Sequence, residues 1–260
     1  MKIAEICVFY EHSRRGRNSM KIASVLKRLL SSGKLKVLTP FSPSVPDAMN
    51  LLQQERILQE VLSITGLESS EVIVEEQLDT TPTVFSDELF VTPTSLEGCD
   101  FANQLVIFDQ GQLSLEENAP LKMLLPFGSG ESGLHAAGYA LAFATACRME
   151  VVFYHTTWRR NSVTEEDPAL HMCDAARAVL ASLEQSARAH GLTTRTIVEC
   201  ADDVVEGLIQ CALRENLSII AMARGKTTGR DGSYVTHALA QSPLPLMICG
   251  RLQEVTLWAS

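Results

Sequence analysis

The chain has 260 residues, 46% of them hydrophobic and 20% charged, with a formal net charge of -9. That length buries a core as one large domain or two small ones, and the acidic balance argues against a nucleic-acid-binding face. No apolar run reaches the ~18 residues of a membrane helix, and no signal-peptide core follows Met1-Lys2-Ile3, so a cytosolic protein without a membrane partner is expected.

The first half shows a run of elements that then breaks. Ile3 to Tyr10 is expected as a strand, Asn18 to Ser31 as a helix and Leu35 to Phe41 as a strand. The arginines at 14, 15 and 17 are expected in a solvated loop, as are Arg159 and Arg160. Pro46 to Ile64 is expected as a helix and Glu71 to Gln77 as a strand. Residues 78 to 100, with Pro82, Pro93 and several threonines, stand where a third helix is due. Leu105 to Asp109 resembles a fourth strand, and no clear fourth helix follows it.

The second half is more regular. Met123 to Phe127 is a short apolar run ended by Gly128-Ser129-Gly130-Glu131-Ser132-Gly133, and an alanine-rich helix follows over Leu134 to Arg148. Glu150 to His155 is the next strand. A loop with Trp158 and the acidic group Glu165, Glu166 and Asp167 leads to Pro168, which suits a first helical position. That helix runs to about His190, and Gly191 supplies a left-handed stop. Thr193 to Glu199 alternates and is β-branched, as strands are. Asp203 and Glu206 have capping-box spacing, and Val204, Leu208, Cys211 and Ala212 make one apolar helix face. Leu217 to Met222 is a buried strand. The turn Arg224 to Ser233, a short helix Tyr234 to Gln241 and a last strand Leu244 to Cys249 complete the order.

Alternating apolar strands and helices predict a parallel sheet covered on both faces. Two tandem open five-stranded α/β domains of nucleotide-binding type are therefore expected, residues 1–117 as an eroded copy and residues 118–260 as the intact one. Ligands on such sheets bind beyond the carboxyl ends of the strands. Both glycine turns lie at that edge, and the turn at Gly225 to Ser233 is the candidate ligand site.

The motifs resemble a known family over about residues 121 to 250. Leu124-Leu125-Pro126-Phe127-Gly128-Ser129, the alanines of the first helix, Val152-Phe153-Tyr154-His155, Ile219 to Gly225 and Ser242-Pro243-Leu244-Pro245 to Cys249 follow one another as in a universal stress protein domain. The resemblance implies a regulatory, non-catalytic stress-response protein that forms a homodimer, binds adenine nucleotide and acts through an unknown protein partner. ATP-binding members carry Gly-x-x-Gly, a spacer of about nine residues, then Gly and Ser or Thr, whose backbone N–H groups cradle phosphates. Gly225 matches the second glycine and Gly232-Ser233 the closing pair. Met222 replaces the first glycine, six residues separate Gly225 from Gly232, and Gly128 stands where an aspartate is usual, so the loop is an altered one. On this basis the expected ATP-type site comprises Pro126, Gly128, Ser129, Arg224, Gly225, Gly232 and Ser233.

Other chemistries are weighed on their own residues. Gly128 to Gly133 is a literal G-x-G-x-x-G between strand and helix, which leaves open a dinucleotide-dependent enzyme, but no acidic residue ends the next strand. Gly225-Lys226-Thr227 echoes a P-loop, yet Ile220 occupies the leading glycine's place. The seven cysteines include no C-x-x-C and sit in apolar segments as small hydrophobes. The six histidines lack metal-ligand spacing, so no metal site is expected. His155 could touch a ligand at its strand end, but a structural role with a backbone partner is the expectation. No catalytic constellation stands out. A structural module whose last strand pairs with a second copy is a third alternative.

Overall fold

The computed structural model describes residues 5–10, 12–30, 33–40, 47–77, 88–92, 103–106, 120–127, 131–158, 172, 174–223 and 234–249. The chain divides into two compact units, Met1–Glu117 and Asn118–Ser260. In element order each is an α/β unit with wholly parallel strand pairs.

The first unit contains β1 (Glu5–Phe9), α1 (Arg14–Leu30), β2 (Leu35–Pro40), α2 (Asp47–Thr65), a 3-10 turn (Ser69–Glu71), β3 (Val72–Gln77), β4 (Glu88–Thr92) and β5 (Asn103–Val106). The strand order is β3-β2-β1-β4-β5. Three sequence expectations change here. Helix α1 begins at Arg14, capped by the Ser13 hydroxyl, which accepts from the Gly16 N–H at 3.0 Å. The arginines at 14, 15 and 17 therefore stand on a first helical turn rather than in a loop. The strand beside β1 is Glu88–Thr92, inside the segment where a helix is due, with Ile6 opposite Leu89 and Val8 opposite Val91. Asn103–Val106 is accordingly the fifth strand, paired with β4, and not the fourth. Ten residues separate Gln77 from Glu88, fewer than the dozen or more a helical crossover uses. Helices α1 and α2 pack on each other, so the helices among the described residues cover one face of this sheet.

The second unit contains β6 (Lys122–Pro126), α3 (Glu131–Ala146), β7 (Glu150–Trp158), α4 (Asp174–Ala189), β8 (Thr194–Ala201), α5 (Val204–Arg214), β9 (Ile219–Ala223), α6 (Tyr234–Gln241) and β10 (Leu246–Cys249). The order is β10-β9-β6-β7-β8. Strands β6, β9 and β10 are apolar runs because both faces are covered. Met123, Leu124, Val151, Val152, Phe153 and Ile220 are inaccessible or nearly so. Each such side chain contributes about 1.5–3 kcal/mol of burial. Strand β7 runs three residues past His155, so Trp158 ends a strand rather than sitting in a loop. Strand β8 lies at the edge of the order and is half-buried throughout, so its β-branched alternation marks no buried stripe.

Local chemistry sets the helix ends. Asp203 caps α5, its Oδ1 accepting from the N–H groups of Val205 and Glu206 at 2.8 and 2.9 Å. The buried face of that helix is Val205, Leu208, Ile209, Cys211 and Ala212, one position on from the Val204 stripe expected. Gly191 stops α4 with φ 77°, as its sequence position predicts. Arg148 and Asn216 do the same after α3 and α5 with φ 53° and 51°, without a glycine to announce it. After each stop an apolar residue (Met149, Leu192, Leu217) donates its N–H back to Ala144, Ala187 and Ala212, the geometry of a Schellman-type end. The Pro168 start expected for α4 lies outside the described residues.

At the amino ends of β7 and β8, Arg195 bridges Glu150 at 3.0 Å and Glu215 at 2.6 Å. Arg214 pairs with Glu199 and Glu215 beside it. This network clamps α5 to the strands.

Candidate functional site

The strand order fixes where a ligand can enter. In the second unit β6 lies between β9 and β7. The chain leaves β6 toward β7 through α3, and leaves β9 toward β10 through α6, in opposite directions. The carboxyl ends of β6 and β9 therefore flank a topological switch point, the crevice in which doubly wound sheets bind ligands. Register puts Leu124 opposite Ile220, so Pro126 at the end of β6 comes level with the last residues of β9. Helices α3 and α6 both start at this edge, and their N-terminal N–H groups favour anions.

Of the expected site residues, Pro126 is described: it ends β6, pairs in register with Tyr154 and is half-buried. Gly128, Ser129, Arg224, Gly225, Gly232 and Ser233 lie outside the described residues, as do Gly130, Lys226 and Arg230. The elements on either side of these segments are described: β6 and α3 for the first, β9 and α6 for the second. Glu131, Ser132 and Gly133 already belong to α3, so the helix begins three residues earlier than its alanine pattern suggests.

The walls of this edge are aromatic. Phe127 follows β6 and is held by its N–H, which donates to Tyr154 O at 3.0 Å. Its ring meets Phe153 edge-on at 6.5 Å and stacks on His155 at 5.0 Å with 25° between planes. His155 Nδ1 lies 3.2 Å from Phe127 O, the backbone partner expected for it. Tyr154 points the other way, toward α5, and its phenol is pushed up to about 12, chiefly by burial. Beyond the switch point, the buried Ser242 closes the turn into β10. Its Oγ donates to Leu244 O at 2.9 Å, and the Leu244 N–H donates to Oγ at 3.1 Å. Residues Leu244 and Pro245 belong to this turn, so the last strand begins two residues later than expected.

The carboxyl end of β7 reads His155-Thr156-Thr157-Trp158 and carries no carboxylate, which is what a dinucleotide ribose would require there. Among the described residues no cluster of histidine, cysteine or carboxylate side chains could hold a metal ion. Cys7, Cys147, Cys211 and Cys249 are buried, as their apolar settings suggest, and Cys200 is half-buried; Cys99 and Cys173 lie outside the described residues.

The first unit repeats one bond of this edge with different chemistry. Tyr10 follows β1 as Phe127 follows β6, and its N–H donates to Leu38 O at 2.9 Å. The Tyr10 phenol is buried and lies 3.3 Å from His12 Nδ1, which lies 3.3 Å from Glu60 Oε2 on α2. Burial first, then the Glu60 carboxylate, holds that phenol well above its ordinary range. Sequence reasoning missed this cluster and the stacking of Phe127 on His155. Both are set by contacts between distant segments, and no local pattern signals either.

An open parallel sheet whose strand order reverses beside β6 defines a doubly wound α/β unit. No protein-family model matches the sequence, and a comparison with curated proteins returns no match. The chain is similar in structure to a universal stress protein from Archaeoglobus fulgidus DSM 4304, with TM-score 0.63 and 12% identity, covering 97% of this chain and 100% of that one. It is similar also to a putative universal stress protein from Pseudomonas aeruginosa UCBPP-PA14, with TM-score 0.61 and 12% identity, covering 96% and 94%. A functionally unknown Pseudomonas aeruginosa PAO1 protein matches with TM-score 0.56 and 11% identity over 96% and 93%. At these identities the likeness is one of fold, and the fold of this chain is that of the universal stress proteins. Among the described residues no helix is long and apolar enough to cross a membrane.

Proposed function

We propose that the chain works as a tandem universal stress protein, non-catalytic and regulatory, whose second unit binds an adenine nucleotide at the switch-point edge. The observation that carries this reading is the divergence of β6 and β9 at one edge, with α3 and α6 both starting there. In this reading the phosphates lie on the backbone N–H groups of Gly225, Gly232 and Ser233, with Gly128 and Ser129 across the crevice and Arg224 supplying charge. Pro126 fixes the exit of the chain from β6. The loss of one glycine and the shorter spacer reduce the number of N–H groups that can converge, so binding is expected to be weaker than an intact loop gives. The first unit, residues 1–117, serves in this reading as a degenerate copy without a phosphate loop.

Calorimetric titration with ATP, ADP, AMP and NAD tests the reading. Adenine nucleotide binding that falls at least tenfold in Gly225→Val supports it, because a branched side chain at Gly225 blocks close backbone approach. Absence of binding to all of the adenine mononucleotides sinks it. Binding of NAD alone transfers the site to Gly128 to Gly133.

A further inference from the structure

Strand β8 ends the strand order of the second unit, so one side of it carries backbone groups that no strand among the described residues takes up. The ladder tells which groups these are. The Val151 N–H donates to Thr193 O at 2.9 Å, and Val151 stands opposite Thr194. In a parallel ladder successive residues turn their N–H and C=O groups to alternate sides. The groups of Arg195, Ile197 and Glu199 therefore face β7, and those of Thr194, Thr196 and Val198 face outward. Side chains alternate between the faces as well. Arg195 and Glu199 meet Glu215 and Arg214 of α5, whereas the Thr196 hydroxyl donates to Glu184 of α4 at 2.5 Å.

Edge strands are ordinarily short, or guarded by lysine, proline or a bulge, because an unpaired ladder recruits another strand. Strand β8 has eight residues, none of them proline, glycine or lysine, and is half-buried along its whole length. Its ladder with β7 runs unbroken from Thr194 to Ala201, so no bulge turns it away. Strand β10, at the other end of this order, has four residues, all of them buried. Strand β3, an edge of the first unit, ends in Glu75-Glu76-Gln77 and holds no basic residue, so a second copy set against it adds only like charge. Strand β8 instead carries one charge of each sign, Arg195 and Glu199, placed evenly about Ile197.

We propose that β8 is a self-pairing edge, to which a second copy of this chain adds its own β8, antiparallel about a two-fold axis at Ile197. Such a pairing needs outward-facing backbone groups to meet one another. Centred on Ile197, Thr196 exchanges hydrogen bonds with the second copy's Val198, and Ile197 faces its own counterpart. The same register sets Arg195 opposite the second copy's Glu199. Centring on Thr196 or Val198 also matches the outward groups, but sets no opposite charges face to face. In the Ile197 register Glu215, Arg195, Glu199 and Arg214 alternate in sign across the seam, so the ion pairs that clamp α5 in each copy join into one network.

Two measurements test the seam and its register. Val198→Pro removes an outward N–H and none that faces β7, so the fold keeps its ladder while the seam loses one donor from each copy. Sedimentation over about a hundredfold range of concentration is expected to show a monomer–dimer equilibrium, weakened about tenfold or more in Val198→Pro. Register is read by cross-linking in a Cys99→Ser, Cys173→Ser, Cys200→Ser background with oxidised glutathione. Ile197→Cys should link to its counterpart, because the Cα atoms of such a facing pair stand about 4.5 Å apart, within disulfide reach. Val198→Cys faces a threonine and should not link. The cross-link is independent of how well the proline variant folds. A chain that stays monomeric throughout, a dimer unweakened in Val198→Pro, or equal cross-linking of the two cysteine variants overturns the inference.

Discussion

Gly207 of α5 and Tyr154 of β7 approach so closely that a β-carbon on the glycine stands 2.9 Å from the phenol oxygen and 2.9 Å from Ala201 Cβ. Alanine in place of an interior helical glycine normally gains about 1 kcal/mol. Here Ala201 Cβ is tied to the backbone and Tyr154 is 1% exposed, so neither neighbour yields freely. Gly207→Ala is expected to lower stability by about 1–2 kcal/mol net, as overpacking does. Urea unfolding of Gly207→Ala, Tyr154→Phe and the double variant checks this. Removing the phenol oxygen should recover part of the loss, and strictly additive effects would assign it to Ala201 alone.

Lys27 of α1 is buried and donates to Glu71 Oε1 at 2.6 Å, and Glu71 Oε2 accepts from the Glu68 N–H at 2.9 Å. Lys27 first, and the Glu68 N–H second, hold the Glu71 carboxyl below its ordinary value of 4.5. A depressed carboxylate stabilises the fold above its unfolded pKa, and that contribution is lost as pH falls through the lower folded value. The melting temperature should therefore drop below about pH 4.5 more steeply than in Glu71→Gln. At pH 7 Glu71→Ala should be worse than Lys27→Met, because it strands a buried ammonium while methionine fills the same space. Equal melting temperatures for the two variants would contradict this.

Burial pushes the Cys147 and Cys249 thiols up to about 12 and Cys211 to about 11. At pH 8 a thiol titrating near 12 is roughly one part in ten thousand thiolate, and the thiolate is the reacting form. In a Cys99→Ser, Cys173→Ser background, Cys200 is expected to react first with a disulfide reagent. Cys147, Cys211 and Cys249 should react only at the rate of unfolding, raised in parallel by urea. Fast labelling of Cys249 in the absence of denaturant is the contrary result.

The second unit is legible from sequence because its strands are buried on both faces, so Val151 to Tyr154 and Ile219 to Met222 stand out as apolar runs. Its caps also follow local rules: Asp203 bonds within its own turn, and Gly191 takes the left-handed conformation. The first unit loses those cues. Glu88–Thr92 is short and flanked by prolines and threonines, and its pairing with β1 joins residues far apart in the chain. The start of α1 is hidden because arginines and Gly16 carry no apolar period; the Ser13 cap is the usable signal. At the site, the strand order that sets the carboxyl edge follows from the alternation of elements. The contact of His155 Nδ1 with the Phe127 carbonyl joins residues 28 apart in the chain, which periodicity does not encode.

The matching backbone bonds, Tyr10 to Leu38 and Phe127 to Tyr154, bear on stoichiometry. The same exit from a first strand is furnished twice, once with a phenol bound to a histidine and the Glu60 carboxylate, once with the stacked Phe127–His155 pair. A carboxylate at the first exit repels an anion, while the stacked pair at the second, Phe127 and His155, carries no negative charge. Titration should therefore saturate at one nucleotide per chain, and the duplicated scaffold should behave toward ligand as a monovalent one.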